Sequence, residues 1–160
     1  MGNTLSLSTS ANIVLGVIGA VVGLKNYASL PNDAVIPMQF GLDGAVGWSL
    51  QSKHAFLFYP VLSLFFGFIP KLLHSQPNLK INYPFNFDES KREDQRRLAI
   101  FYLSTLHLLL GGFFVGLSGH WIPNIVKGNA SGIPASVVCG GLAAIGLLTA
   151  AYFARASHLK

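Results

Sequence analysis

The chain has 160 residues, of which 51% are hydrophobic and 11% are charged. A soluble domain of this length usually carries about 25% charged residues, so the composition excludes an ordinary water-soluble domain and indicates a protein surrounded by lipid. The net charge of +5 comes from basic residues concentrated in one stretch, which reflects membrane topology rather than nucleic-acid binding. The single cysteine, Cys139, excludes an internal disulfide and is predicted to be a small packing residue.

Four segments are apolar enough to be transmembrane helices, which need about 20 mostly apolar residues. They cover residues 7–24, 55–73, 98–117 and 135–153, and their interiors contain no charged side chain. The first segment lacks the basic start and small-residue cleavage site of a signal peptide, so it is interpreted as a retained span. The sequence therefore predicts a single-domain, all-α integral membrane protein, folded as a four-helix transmembrane bundle with short loops.

The basic residues are distributed unequally between the two sides of this bundle. Eight of the eleven lie at the end of the second segment, between it and the third, or after the fourth, and three lie in the other two connections. The eight are Lys71, Lys80, Lys91, Arg92, Arg96, Arg97, Arg155 and Lys160, and the three are Lys25, Lys53 and Lys127. Because cytoplasmic loops are enriched in Lys and Arg, both termini are predicted to lie on the cytoplasm-like side.

Small residues at helical spacing predict the faces on which these helices pack, because they allow close backbone approach in lipid. Three sets have this spacing: Gly19 with Gly23, Gly112 with Gly116, and Ser136 with Gly140 and Ala144. Pro60 is predicted to kink the second helix or to mark its start.

The start of the third helix carries its own local signals. Ser90 and Glu93 form the pattern of a capping box, and Glu93 and Arg97 are one helical turn apart on one face. The helix is therefore predicted to begin before the membrane and to enter it near Leu98. Upstream, the apolar, proline-broken segment 82–87 is predicted to lie in the membrane interface.

The connection between the first two segments is the most distinctive part of the chain. It contains Leu30-Pro31, Ile36-Pro37-Met38-Gln39-Phe40-Gly41, Asp43-Gly44, Gly47-Trp48-Ser49 and Lys53. Proline stiffens such a segment, glycine permits tight turns, and tryptophan is suited to the headgroup region. The connection is therefore predicted to be an ordered cap.

This connection resembles the first extramembrane loop of the bacterial SdpI-type membrane proteins. The shared positions are Leu30, Pro31, Ile36, Pro37, Phe40, Gly44, Trp48 and Lys53, and the segment 82–85 resembles the family's asparagine-x-proline motif. Gln39 replaces the family's histidine, and Ala45-Val46-Gly47 replaces its acidic-proline-acidic stretch. The resemblance implies a helical membrane fold and a role in immunity to a secreted toxin peptide or in signalling. The departures favour a structural role for the loop, with a peptide ligand there as the alternative.

His107 is a strongly polar side chain deep inside a predicted span. An intramembrane ionisable residue is a functional candidate by default. No span interior supplies an acidic partner, so His107 is predicted to be a neutral, hydrogen-bonded packing residue rather than part of a proton relay. Nothing in the spacing singles it out as an axial ligand, and no cofactor is predicted. His54 and His120 are predicted to be interfacial anchors rather than metal ligands.

The sequence contains no phosphate-binding glycine loop, nucleophile elbow, carboxylate pair or zinc motif, so no enzymatic activity is predicted. The leading hypothesis is an accessory or structural subunit of a larger membrane complex, whose partners are other integral membrane subunits and lipid. The alternatives are an SdpI-like immunity or signalling receptor and a small transporter or channel component. Two modification motifs stay open, N-myristoylation at Gly2 and N-glycosylation at Asn129.

Overall fold

The computed structural model describes residues 2–75 and 89–158, with side chains from Leu7 onward. The elements in chain order are α1 (Gly2–Ser29), β1 (Ile36–Phe40), β2 (Val46–Leu50), a 3-10 turn (Lys53–Leu57), α2 (Phe58–Ser75), a 3-10 turn (Glu89–Lys91), α3 (Arg92–Gly116), a π-helical turn (Leu117–Trp121), α4 (Ile122–Val126) and α5 (Ala135–Ser157). The interfacial segment 82–87 lies outside the described residues, and so do the side chains of the myristoylation motif at Gly2.

Four helical stretches in the described residues are long and apolar enough to cross a membrane: 7–29, 53–75, 89–126 and 135–157. They confirm the four predicted helical segments. The third is longer than predicted, because the π-helical turn joins α3 to α4 without a break. Pro123 lies in the first turn of α4, where the missing N–H of proline is tolerated, and the helix ends before Gly128, which has a φ of +75°.

Helices α1, α2 and α3 form the packed core of the bundle, and glycines set how closely they approach. A Cβ atom added at Gly67 would lie 2.8 Å from the Asn12 backbone oxygen and 3.0 Å from Gly16 Cα. A Cβ atom at Gly23 would lie 2.6 Å from Pro60 Cβ, and one at Gly19 would overlap the Ser63 side chain. The predicted packing role of Gly19 and Gly23 is thus confirmed, and Pro60 lies in the first turn of α2, as predicted.

The other two small-residue sets do not pack as predicted within the described chain. A Cβ atom at Gly116 would overlap the ring of Trp121, because the π-helical turn brings that ring back over the same helix. Gly140 has open space where a side chain would be. Helix α5 packs mainly on α3, and its most apolar 18-residue window contains no buried residue.

The start of α3 differs from the prediction in one detail. The N-cap is Lys91, without a side-chain capping hydrogen bond, so the Ser90–Glu93 capping box is wrong. The reason is that Ser90 lies inside the 3-10 turn Glu89–Lys91, whereas a capping residue must have a non-helical backbone. The predicted pairing of Glu93 with Arg97 is confirmed, with Oε1 and Nε 3.1 Å apart.

The connection between α1 and α2 is a β-hairpin, which is an addition to the predicted all-α fold. Strands β1 and β2 are antiparallel, with Ile36 opposite Leu50 and Phe40 opposite Val46, and the register is irregular near Gln39. Branched and aromatic residues in both strands favour this conformation. Helices still account for 77% of the residues that the structure describes, so the hairpin is a small element attached to a helical bundle.

Candidate functional site: the hairpin cap and the buried polar seam

The hairpin packs over one end of the helical bundle. The buried apolar cluster at that end draws on the hairpin, the helix ends and the loop before α5, and consists of Leu30, Ala34, Ile36, Phe56, Tyr59, Leu117, Ile122 and Ile133. Because the hairpin shares this buried cluster with the helix ends, it is a fixed part of the bundle rather than a free linker. The described geometry agrees with the predicted ordered cap.

The base of the hairpin is attached to α2. Ile36 and Phe56 have no exposed surface, and Tyr59 is almost completely buried. The Tyr59 hydroxyl donates a hydrogen bond to the Pro37 carbonyl, and it lies 3.9 Å from Met38 Sδ. A buried hydroxyl needs such a partner, so this contact fixes β1 against the first turn of α2.

The tip of the hairpin is attached to the segment that leads into α5. The turn is closed by Gly41 N–H, which donates to the Ala45 carbonyl at 2.9 Å, and by Ala45 N–H, which donates to Asp43 Oδ1 at 3.0 Å. Gly44 has a φ of +80°, and its carbonyl accepts a hydrogen bond from Ile133 N–H at 2.9 Å. The hairpin thus connects the α1–α2 side of the bundle to α5.

The structure does not bring the family-like residues together at one point. Pro37 is buried at the base, Phe40 packs against the apolar cluster, and Gly44 lies at the tip. Gln39 and Trp48 face each other across the strands and are exposed. The family-like residues therefore have different structural roles within one hairpin.

Lys53, the last family-like position, belongs to a separate cluster beside the end of α1. Its Nζ atom lies 4.9 Å from the centre of the Tyr27 ring, which is the geometry of a cation–π contact. The Tyr27 hydroxyl and His54 Nδ1 are 2.8 Å apart. This cluster holds the end of α1 against the start of α2.

A shallow cavity of about 420 Å³ lies beside the hairpin. Its lining comes from the loop between α1 and β1, both strands and the end of α4, and consists of Pro31, Asp33, Ala34, Val35, Pro37, Val46, Ser49, Ile125 and Val126. The two prolines are family-like positions, whereas Gln39 and Trp48 lie outside the lining. Asp33 and Ser49 supply its side-chain polar groups.

A seam of buried polar side chains runs between α1, α2 and α3. Asn12, Ser63, Ser104 and Ser118 are each at most 1% exposed. Asn12 Nδ2 donates to the Ser104 carbonyl at 3.1 Å and to the Ser8 carbonyl at 2.9 Å. Nearer the hairpin, Asn26 Nδ2 donates to the Ser118 carbonyl at 2.9 Å. In lipid such bonds hold helices together, so the seam fixes the register of α1 against α3, whereas the Ser63 hydroxyl of α2 has no hydrogen-bond partner among the described residues.

The residue pattern of the sequence did not predict this seam. Its signal was Asn12, an amide inside an otherwise apolar segment, but serines in such segments commonly bond to their own helix. The spacing along one helix cannot show which polar groups of three helices face each other. The glycines beside the seam bring the three backbones close enough for these bonds to form.

His107 lies between α2 and α3 and is partly exposed. Its Nδ1 atom is 2.6 Å from the Leu103 carbonyl, and its ring centre is 5.7 Å from that of Phe66. Because a carbonyl oxygen can only accept, Nδ1 is the donor of this hydrogen bond to the preceding turn of α3. The hydrogen bond is made within its own helix, and the predicted packing role of His107 stays a prediction.

The remaining candidates lie apart from one another. His120 lies 3.3 Å from Asn124, close to the end of the third span. Cys139 is exposed, and its thiol lies 3.7 Å from the Leu42 carbonyl, so it contacts the hairpin tip instead of packing between helices. Among the described residues, no three His, Cys, Asp or Glu side chains are placed to share a metal ion.

No protein-family model, curated protein or solved structure matches the chain. The likeness to the SdpI-type family therefore rests on the motif positions in the hairpin.

Proposed function

We propose that the protein is a non-enzymatic accessory subunit, held in a larger membrane complex by contacts along α5. The observation that supports this proposal is the contrast between the glycines of the core helices and those of α5. Gly16, Gly19 and Gly67 are in tight contact with neighbouring helices, whereas Gly140, Gly141 and Gly146 have open space around them.

The exposed side of α5 also carries a row of small residues. Ala143, Gly146, Ala150 and Ala154 recur every three or four positions and are all exposed. Lipid chains gain little dispersion energy from so flat a surface, while another helix can approach it closely. Helix α5 is held to this chain by α3 and the hairpin tip, which leaves the row available to a helix of another subunit.

The contacts between α3 and α5 are already satisfied without that row. The Tyr102 and Tyr152 rings stack with their centres 4.6 Å apart, and the Tyr102 and Thr149 hydroxyls are 3.1 Å apart. Gln95 Nε2 donates to the Ala156 carbonyl at 3.1 Å. Helix α5 is therefore fixed on one side, and the row of small residues faces away from these contacts.

The test is purification of the tagged full chain from its own membranes in a mild detergent, followed by native electrophoresis and mass spectrometry. The wild-type chain is expected to retain stoichiometric membrane partners. Gly146→Leu should release them, and the matched control Ala11→Leu, at an exposed position of α1, should not. Partner retention by Gly146→Leu would contradict the proposed contact surface.

A second candidate is an SdpI-like receptor for a peptide. The observation that favours it is the cavity beside the hairpin, which contains the family-like Pro31 and Pro37. Migration of the wild-type chain as a free monomer, with no stoichiometric partner, would favour this receptor over the accessory subunit.

A further inference from the structure

We infer that the cavity beside the hairpin binds the headgroup of an ammonium-bearing phospholipid, phosphatidylethanolamine, with the Asp33 carboxylate accepting hydrogen bonds from the ammonium group. This inference requires that the chain spans a membrane. It does not require a protein partner on α5, so it stands or fails separately from the accessory-subunit proposal.

The position of the cavity places it at the level of lipid headgroups. Val126, in its lining, is the last residue of the third candidate span, and the first candidate span ends at Ser29, four residues before Asp33. One candidate span thus ends in the cavity lining, and another ends two residues before the lining residue Pro31. In a bilayer, the ends of spanning helices lie beside the polar headgroups, so headgroups lie next to this cavity.

The lining is apolar apart from one acidic group and one hydroxyl. Asp33 is the only ionisable residue among the lining residues, and its side chain is on the surface of the turn before β1. In the part of the chain that the structure describes, the ion pairs are formed by other carboxylates. The Asp33 carboxylate is therefore available to a cation from outside the chain, and the Ser49 hydroxyl offers a second acceptor.

The chemistry of the lining distinguishes between lipid headgroups. A primary ammonium group has three N–H donors, which suit a carboxylate and a hydroxyl. A choline group has no N–H donor and is usually recognised by aromatic rings, and none of the lining residues is aromatic. An anionic headgroup such as phosphatidylglycerol would bring a second negative charge to Asp33.

A zwitterionic lipid also needs a partner for its phosphate. Lys127 follows the lining residue Val126 directly and is exposed. Because Lys127 is next to Val126 in the chain, it is the basic group that we expect to meet the phosphate. A volume of about 420 Å³ falls within the range of about 300–1,000 Å³ that is usual for small-molecule sites.

The test is native mass spectrometry of the full chain, purified in detergent and incubated with defined lipids. The wild-type chain should retain phosphatidylethanolamine in preference to phosphatidylcholine and phosphatidylglycerol of the same acyl chains. Asp33→Asn should reduce this retention by roughly two- to fivefold, the loss expected for a charge pair at a solvent-exposed carboxylate. Lys127→Gln should reduce it by no more than that, because Lys127 is also exposed.

The matched control is Asp43→Asn, which removes the same charge from the same hairpin but lies outside the cavity. Asparagine keeps the oxygen that accepts the Ala45 N–H, so the turn should survive and phosphatidylethanolamine retention should be unchanged. Thermal unfolding of both variants shows that the fold is intact. Equal retention of the three lipids by the wild type, or undiminished retention by Asp33→Asn, would overturn the inference.

A last arm separates lipid from soluble amine. Ethanolamine alone, titrated against lipid-free protein by calorimetry, should give no Asp33-dependent binding at millimolar concentration, because the headgroup is positioned there by its acyl chains. Asp33-dependent binding of free ethanolamine at that concentration would instead assign the cavity to a soluble amine and make the lipid assignment wrong.

Discussion

The backbone carbonyl of Gly44 accepts a hydrogen bond from the N–H of Ile133 at a distance of 2.9 Å, and helices α2, α3 and α4 lie between the two residues in sequence. The neighbouring residues Ala45 and Gly132 also pair across the two segments. This short pairing attaches the hairpin tip to the start of α5. Together with the hydrogen bond between Tyr59 and Pro37 at the hairpin base, it makes the hairpin a connection between α2 and α5 across one end of the bundle.

Replacing Gly44 with Ala should detach the hairpin tip from the segment that leads into α5. Gly44 has a φ of +80°, a conformation that costs a residue with a Cβ atom about 1–2 kcal/mol, and the added Cβ would overlap the Ile133 carbonyl. The expected loss is about 2–4 kcal/mol of unfolding free energy, measured as a lower thermal midpoint in detergent.

The matched control is Gly47→Ala in β2, where the nearest atom to the added Cβ is 3.7 Å away and the change should be within about 0.5 kcal/mol. Faster hydrogen exchange at Ile133 N–H in Gly44→Ala alone would locate the effect. Equal midpoints for the two glycine variants would show that the hairpin tip does not carry stability.

Gly67→Ala should loosen the core of the bundle. The added Cβ would meet the Asn12 backbone oxygen at 2.8 Å and Gly16 Cα at 3.0 Å, and backbone atoms cannot move aside as a flexible side chain can. Separation of α1 from α2 should cost about 1–3 kcal/mol. Gly141→Ala, in open space on α5, should be neutral or slightly stabilising because alanine favours helix. The reverse order of thermal midpoints would mean that α5, and not the α1–α2 contact, limits the stability of the bundle.

His107→Gln should preserve folding and any proton- or ion-linked transport. Glutamine can still donate a hydrogen bond to the Leu103 carbonyl, but it cannot titrate. His107→Leu should lower stability by about 0.6 kcal/mol, the average for a side-chain hydrogen bond within a membrane. The measurement is thermal unfolding together with any proton- or ion-linked transport in reconstituted vesicles. Loss of such transport in a folded His107→Gln protein would replace the packing role with that of a proton carrier and favour the transporter hypothesis.

Cysteine labelling in sealed vesicles should place the two ends of the bundle on opposite sides of the membrane. In a Cys139→Ala background, Ser90→Cys should be shielded from a membrane-impermeant reagent added to the face at which Asn129→Cys reacts. The basis is the concentration of Lys and Arg near Ser90. Equal labelling of both positions from one side would contradict the four-span topology.

The sequence by itself determined the number and approximate limits of the long helices. Hydrophobic length is a property of one segment at a time, so segments 7–24, 55–73 and 135–153 could be recognised without knowing their neighbours. The same holds for Glu93 and Arg97, which are one turn apart in any helix. The close-packing role of Gly19 and Gly23 was also predictable, because glycine has the same steric effect on every neighbour.

Only the tertiary structure decided which groups meet. The connection after α1 contains turn residues suited to a loop, and its two strands are stabilised by Tyr59 and Ile133, which lie elsewhere in the chain. Asn12 gave no sign that its partner would be the Ser104 carbonyl, because a helix repeat orients a side chain but does not choose the helix opposite it. The cavity at Asp33 is likewise formed by the loop after α1, the hairpin and α4 together. A concave surface requires several segments to be fixed in space at once, so it could not be predicted from one segment.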